Sequence, residues 1–240
     1  MVPPVAVTPG GFPPASYEEW FTSPLGRQVW RDERKVLLQA LGSVARCRVL
    51  DVGAGDGRFA VELADRGAWV VALDRDRAML RLAAERARSA GTPMALVVAD
   101  ARALPFRADA FDAAVAVTLL CLVADPSAVV QELARVIRPG GYAVVGELGR
   151  WSTWALGRWL RGRVHDEAWA GVRFWRGKDL EALLSSAGLR AGSAVGAVFY
   201  PRGALLGLLR TPMEPLLSGR RPFGAAFIVV RGEKACPADA

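Results

Sequence analysis

Three glycines at alternate positions and an acidic residue beyond them could together hold a nucleoside. The strand-like run 49–52 leads into Gly-Ala-Gly-Asp-Gly at 53–57, and Asp74 closes a second apolar run seventeen residues later. Glycines leave a strand-to-helix turn without Cβ atoms, so a ligand can lie against the backbone. Asp74 ends its strand at the same rim of the sheet, where a carboxylate can accept hydrogen bonds from ribose hydroxyls.

The spacing of the glycines indicates which nucleoside. A dinucleotide-binding turn usually has the pattern Gly-x-Gly-x-x-Gly, in which the third glycine packs the helix against the sheet. Here Asp51 is followed by glycines at 53, 55 and 57, which disfavours a nicotinamide-dependent oxidoreductase. Structural interpretations are also open: Gly57 could serve only helix packing, and Asp51 could order the turn by accepting from backbone amides.

Asp100 is placed like Asp74, directly after a buried strand. A carboxylate in that position loses its hydration unless another group replaces the water, and a ligand hydroxyl or amine can do so. Both aspartates are therefore candidate ligand contacts. Met79, on the apolar side of the next helix, is either a core residue or a contact to a ligand ring.

Strands and helices alternate from residue 48 onward, which predicts the fold class. We expect α/β architecture with a doubly wound, mostly parallel, seven-stranded sheet and helices on both faces. The predicted strands are 48–52, 69–73, 94–99, 111–120, 142–147, 191–200 and 223–230. The predicted organisation is a flexible segment at 1–15 and a single domain at 16–240, with a helical cap at 16–45 and insertions at 150–176 and 201–220 that form the substrate wall.

Composition narrows the class of protein. The 240 residues, 52% of them hydrophobic, can bury one substantial core. The proline-rich start lacks the features of a secretory signal, and the longest apolar stretch, 113–124, is shorter than the roughly 20 residues of a membrane-spanning helix. Three scattered cysteines without metal-ligand spacing fit free thiols. We therefore expect a cytoplasmic protein that binds no metal.

Four motifs, in order, resemble those of the class I S-adenosylmethionine (SAM)-dependent methyltransferases, and most closely the small-molecule branch called methyltransferase type 11. They are the glycine turn at 50–57, Asp74 with Arg75, the stretch 99–106, and Arg-Val-Ile-Arg-Pro-Gly-Gly at 135–141. The resemblance implies a Rossmann-like methyltransferase that uses SAM and releases S-adenosyl-L-homocysteine. A SAM-binding module without turnover is the non-enzyme alternative.

The resemblance also implies which residues meet the cofactor. The glycine turn would meet the methionine part of SAM, Asp74 the ribose, and Asp100 the adenine. Thr118 and Leu119 would face the sulfonium, and Tyr17 with Trp20 resembles an aromatic pair that closes over the cofactor in related enzymes. The cofactor residues predicted in this way are Asp51, Gly53, Ala54, Gly55, Asp74, Arg75, Met79, Asp100, Ala101, Thr118, Leu119 and Tyr17. The predicted substrate-binding residues are Trp20, Trp151, Trp154 and Tyr200.

His165 is the candidate catalytic residue. Methyl transfer from a sulfonium is an in-line displacement, which a protein accelerates chiefly by alignment and by excluding water. A general base is needed only where the acceptor holds its proton. His165 is the sole histidine, and the carboxylates of Asp166 and Glu167 follow it directly, so its pKa could be raised. The alternative is a solvated loop histidine.

Tryptophan and arginine are concentrated after the fifth predicted strand. Five of the eight tryptophans lie within 151–175, interleaved with arginines, and +6 of the net charge of +7 belongs to 151–240. In the fold that the resemblance implies, this segment forms a wall over the acceptor, which favours a small apolar or aromatic acceptor. A membrane-lipid or RNA substrate, a peripheral membrane contact, and purely structural packing are alternatives. Residues 118–121 lack the motif of base-flipping amino methyltransferases, so we expect no stable nucleic-acid partner. We expect the protein to be a monomer or a homodimer.

Overall fold

The computed structural model of the chain describes residues 14–162, 172–201, 217–220 and 222–236. Two helices precede the first strand. Helices then separate successive strands as far as the fifth, except that residues 99–110 join the third strand to the fourth without a helix, which departs from the predicted alternation. The elements are α1 Pro14–Thr22, α2 Pro24–Leu41, β1 Arg48–Val52, α3 Arg58–Asp65, β2 Trp69–Asp74, α4 Arg77–Ala90, β3 Ala95–Val98, β4 Phe111–Val117, α5 Pro126–Val136, β5 Ile137–Leu148, α6 Thr153–Gly162, α7 Gly177–Ser186, β6 Leu189–Ala191, β7 Val195–Ala197 and β8 Phe227–Lys234.

All eight strands form one sheet, in the order β3-β2-β1-β4-β5-β8-β6, with β7 also paired to β8. The first five strands are parallel, and β8 runs antiparallel to β5. The predicted doubly wound, mostly parallel α/β fold is therefore confirmed. Because the carboxyl ends of parallel strands meet at one edge, the residues that follow β1 to β5 share a rim of the sheet.

The predicted strand 191–200 is divided into β6 and β7. Ala191 pairs with Gly232 and Val195 pairs with Val229. Val195 is therefore four residues after Ala191, whereas their partners on β8 are only three residues apart. The extra residue must be accommodated by an irregularity, and the two short strands flank it. Both lie on the same side of β8, so the eight strands occupy seven positions in the sheet.

Further strand boundaries differ from the prediction. The third strand is one residue shorter at each end, and the fourth ends at Val117 and not at residue 120. The last strand begins at Phe227, four residues later than predicted, and continues to Lys234. The fifth begins at Ile137 and not at Tyr142, because α5 ends at Val136 and the chain becomes extended before Pro139. A proline disfavours helical backbone at the preceding residue, which accounts for the early end of the helix.

The sheet separates two apolar cores. One contains residues of α5 and α7, including Val129, Leu133 and Leu184, and the other contains residues of α2 and α3, including Leu37 and Leu63. β1 and β4 are buried on both faces, which explains their largely apolar sequences. Within the described ranges, none of the helices is both long enough and apolar enough to span a bilayer.

Helices α1 and α2 occupy most of the predicted cap and are attached beside the glycine turn. Glu18 of α1 lies 3.1 Å from guanidinium nitrogens of both Arg58 and Arg86. A series of edge-to-face aromatic contacts, from Phe21 to Trp30 and from Trp30 to Phe59, continues the attachment. The cap therefore contacts α3 and α4, the two helices that follow the first and second strands.

Candidate cofactor site

The glycine turn depends on backbone conformations that side chains disfavour. Gly53, Gly55 and Gly57 all have positive φ, at 73°, 54° and 72°. A Cβ on Gly53 would lie 2.8 Å from Cδ1 of Leu119, so only glycine lets the leucine side chain pack this closely against the turn. A Cβ on Gly57 would lie 2.6 Å from the Cβ of Ala83 in α4. Glycine is therefore required for close packing at both positions, against Leu119 at the first and against α4 at the third.

A cavity of about 290 Å³ lies at the rim where the strands end. It brings together nine of the predicted cofactor residues: Gly53, Gly55, Asp74, Arg75, Met79, Asp100, Ala101, Thr118 and Leu119. The remaining lining residues were not predicted individually, although Ala99 and Arg102 lie in the motif stretch 99–106. They are Leu73, Asp76, Ala99, Arg102, Val117, Leu122, Val123 and Ala124. Most of these flank a predicted residue in sequence, and their proximity to a strand end was the available signal.

Asp74 connects the glycine turn to the start of α4. Its Oδ2 accepts a hydrogen bond of 2.9 Å from the Gly55 amide, and its Oδ1 accepts one of 2.9 Å from the Asp76 amide. Asp76 in turn caps α4 by accepting from the Ala78 amide. Each carboxylate oxygen has two lone pairs, so Asp74 retains acceptor capacity towards the cavity.

Asp100 is held by a neighbour that the sequence analysis did not consider. The guanidinium of Arg102 donates to it through Nη2 at 2.6 Å and through Nε at 3.0 Å, and the Arg102 amide donates at 2.9 Å. These hydrogen bonds lower the pKa of Asp100 to about 2. The cavity therefore has an ionised carboxylate and a cation side by side at its β3 end.

Asp51 lies beneath the turn as a buried acid with an unsatisfied oxygen. Its side chain is 2% exposed, and its Oδ2 receives no hydrogen bond from the described residues. Burial, reinforced by the negative charges of Asp74 and Asp56, raises the pKa of Asp51 to about 7. Asp56 is also buried but is paired, with Arg86 at 2.6 Å and Arg58 at 3.1 Å. Asp51 thus differs from its acidic neighbour in lacking a cation.

Glu147, at the carboxyl end of β5, organises the loop that follows β4. It is fully buried, and it accepts hydrogen bonds from the amides of Leu120 at 2.6 Å and Cys121 at 3.2 Å. Burial raises its pKa to about 7, although these hydrogen bonds act in the opposite direction. Thr118 precedes this loop with a φ of 49°, an uncommon conformation for a threonine. Sequence reasoning did not single out Glu147, because its partners lie on the neighbouring strand's loop.

Several predicted substrate residues do not line the cavity. Trp154 and Tyr200 belong to the core on the α2 face, where the indole Nε1 donates to the Tyr200 carbonyl at 2.6 Å and the phenol donates to Asp32 at 2.9 Å. Trp20 packs edge-to-face on Trp154, with ring centroids 6.2 Å apart. The structure therefore places Trp154 and Tyr200 in this core, with Trp20 packed against it, and their assignment to the substrate stays a prediction.

Four further predictions fall elsewhere. Trp151 is exposed and does not line the cavity, and Ala54 packs against the α2-face core while its amide donates to the Leu73 carbonyl at 3.0 Å. The backbone of Tyr17 lies in α1, but its side chain is outside the described residues. His165 is likewise outside them, within 163–171.

Several known proteins resemble this chain in sequence or in structure. Residues 50–145 match a family model described as a methyltransferase domain. An uncharacterized protein of Mycobacterium tuberculosis is 32% identical over 235 residues, which cover 94% of this chain and 77% of that protein. A demethylmenaquinone methyltransferase of Mycolicibacterium paratuberculosis is 42% identical over 114 residues, 48% of this chain and 47% of that protein. A SAM-dependent methyltransferase from Thermotoga maritima, described as a possible histamine N-methyltransferase, superimposes with a TM-score of 0.65 at 27% identity, covering 92% of this chain and 95% of that one.

Proposed function

The chain belongs to the class I SAM-dependent methyltransferases, in the type 11 branch, and from this premise we propose that it transfers the methyl group of SAM to a small apolar or aromatic acceptor. SAM is the cofactor. When bound, it supplies a methyl group that is already activated on a sulfonium. The residues of the chain therefore need only to bind the two substrates, align them for an in-line displacement, and exclude water from the site.

Two features of the glycine turn fit SAM. Gly53 and Leu119 both line the cavity, and because a Cβ on residue 53 would collide with the Leu119 side chain, only glycine lets both lie at the cavity wall. The unsatisfied Oδ2 of Asp51 is a buried acceptor in a negative environment, which suits a cationic group such as the ammonium of a methionine moiety. We assign Asp51, Gly53 and Gly55 to that part of the cofactor.

The polar end of the cavity fits the nucleoside. Asp74 is already held by two amides, so its carboxylate is oriented before a ribose hydroxyl arrives. Asp100 is held by Arg102 and keeps acceptor capacity for an exocyclic amine. Arg75 and Met79 line the same end of the cavity and are assigned to the faces of the base.

The opposite end of the cavity supports an apolar acceptor. Because the strand order is β3-β2-β1-β4, the residues after β4 lie at the far end of the cavity from Asp100. There the lining is Val117, Leu119, Leu122 and Val123. The proposal rests on this difference between the two ends of one cavity: carboxylates lie at the ends of β2 and β3, and aliphatic side chains lie at the end of β4.

The names of two kinds of relative support a small acceptor. The curated demethylmenaquinone methyltransferases and the structure described as a possible histamine N-methyltransferase both carry a small molecule in their names. Neither name refers to a nucleic acid. We therefore extend to this chain only the size class of the acceptor, and the apolar character comes from the cavity lining.

The proposal is tested in two stages. Calorimetry with SAM, S-adenosyl-L-homocysteine and NAD should show binding of the first two and none of NAD. Methyl transfer from radiolabelled SAM is then measured with a panel of quinols, phenols, aromatic amines and a mixed RNA pool. Labelling of organic-extractable products supports the proposal. SAM binding with labelling of RNA alone, or with no labelling across the panel, contradicts the acceptor class while leaving the cofactor assignment intact.

A further inference from the structure

Three exposed apolar side chains form a patch beyond the end of β5. Trp151, Leu156 and Phe223 are 53%, 57% and 80% exposed. A parallel bridge joins Ser152 to Gly224, so Trp151 and Phe223, each one residue earlier, are neighbours on adjoining segments. Leu156 follows in the first turn of α6, where its amide donates to the Ser152 carbonyl at 3.0 Å. Trp151, Leu156 and Phe223 are called the apolar patch below.

Arginine side chains lie around this patch. The guanidinium carbons of Arg150 and Arg176 lie over the ring of Trp151, 5.9 Å and 5.4 Å from its centroid. Arg176 also adjoins the other half of the patch, because a Cβ on Gly177 would lie 3.0 Å from Cγ of Pro222. Both arginines are exposed. The surface therefore combines an apolar centre with cationic neighbours, and residues 151–240, which begin directly after Arg150, carry +6 of the net charge of +7.

This combination matches the chemistry of an anionic bilayer surface. Contiguous exposed apolar groups are unusual on a soluble protein and mark interaction sites. Aromatic and aliphatic side chains enter the boundary between headgroups and acyl chains, while arginines are attracted to lipid phosphates. We propose that the apolar patch, with Arg150 and Arg176, binds peripherally to membranes that contain anionic lipids. This inference does not depend on the identity of the methyl acceptor.

RNA is a weaker match for the same surface. Bases stack on open aromatic faces, whereas two guanidinium groups already lie over the ring of Trp151. Leu156 has no ring on which a base could stack. Phe223, the most exposed member of the patch, gains more from leaving water for an acyl environment than from contact with a hydrated phosphate backbone.

The test is flotation of the full chain with vesicles of phosphatidylcholine alone or of phosphatidylcholine with phosphatidylglycerol. The protein should float only with the anionic vesicles. The double variant Trp151→Ser/Phe223→Ser should lower the partition coefficient about tenfold, and Arg150→Gln/Arg176→Gln should lower it by a similar factor. Trp69→Ser is the matched control, because Trp69 is 64% exposed at the start of β2, at the opposite edge of the strands, and should float like the parent protein.

Three results would overturn the proposal. The first is an absence of flotation with anionic vesicles. The second is equal flotation of the patch variants and the Trp69→Ser control, provided that thermal stabilisation by SAM shows all of them to be folded. The third applies where the parent protein does not float with anionic vesicles. Patch variants that then lose RNA binding, or lose concentration-dependent dimerisation in sedimentation velocity, would assign the patch to RNA or to a second copy of the chain.

Discussion

Replacing Asp51 by asparagine should flatten the pH dependence of the stability of the ligand-free protein. Burial, together with the charges of Asp74 and Asp56, raises the pKa of Asp51 from 3.8 to about 7. The unfolded chain has the ordinary value, so at intermediate pH the folded protein holds a proton that the unfolded chain has released. The stability that depends on this proton is fully present below the unfolded pKa and is lost as the pH rises through the folded pKa.

The size of the effect follows from the shift. Three pKa units correspond to a penalty of about 4 kcal/mol once Asp51 is ionised in the folded protein. Of this, about 2.5 kcal/mol should be lost between about pH 5 and pH 8. Burial also raises the pKa of Glu147 to about 7, but that group is present in both proteins and cancels in the comparison. The difference in unfolding free energy between the parent and Asp51→Asn should therefore change by about 2.5 kcal/mol over this range.

Urea denaturation followed by circular dichroism at intervals across this pH range measures the difference directly. Asp65→Asn is the control, because Asp65 is an exposed acid at the end of α3, and its variant should follow the parent curve. If the curves of the parent and Asp51→Asn run parallel, Asp51 ionises in the fold as it does in water. The assignment of a desolvated carboxyl group beneath the glycine turn would then be refuted.

Three further perturbations test other parts of the site. Asp74→Ala should weaken SAM binding about tenfold or more, since a charge-assisted hydrogen bond contributes roughly 1.5–3 kcal/mol, and unchanged affinity by calorimetry in a folded variant would remove Asp74 from the site. Gly53→Ala should lower both the SAM affinity and the melting temperature. Gly91→Ala is the control: Gly91 has a similar φ, a Cβ there would have nothing within 4 Å, and its variant should lower only the melting temperature. Equal SAM affinities of the two variants would contradict a close approach of the ligand to residue 53. Glu147→Ala should lower the free energy of unfolding by about 1–3 kcal/mol for each backbone amide left unsatisfied. In chemical denaturation, Glu147→Gln should recover part of this loss. An alanine variant as stable as the parent would show that water replaces the carboxylate.

The polar end of the cavity could be predicted because it depends on local pattern. Asp74 is the last residue of β2 and Asp100 lies two residues after β3, and parallel strands bring their carboxyl ends together whatever the details of packing. Glu147 could not be found in the same way. Its partners lie 26 and 27 residues earlier in the chain, and they become neighbours only because β5 pairs with β4. Strand order is a tertiary property that no local window contains.

The positions of two predicted substrate residues could not be read from local sequence for a related reason. Trp154 and Tyr200 come from segments without a clear period, so the sequence did not indicate which face of the sheet they cover. The structure pairs the indole nitrogen of Trp154 with the Tyr200 carbonyl, and the Tyr200 hydroxyl with Asp32 of α2. Burial of the Trp154 ring in this core is favourable, because its only polar atom has a hydrogen-bond partner there.

Asp51 and Glu147 are both fully buried acids with pKa values raised to about 7, yet the structure gives them different roles. The amides of Leu120 and Cys121 satisfy Glu147, so its carboxylate stabilises the fold with or without cofactor. Asp51 has an oxygen that receives no hydrogen bond from the part of the chain that the structure describes. A cationic ligand beside it should favour the ionised form, so SAM should bind more tightly as the pH rises through about 7, with loss of that trend in Asp51→Asn and its retention in Glu147→Gln. A SAM affinity with the same pH dependence in the parent and in Asp51→Asn would show that both acids are structural.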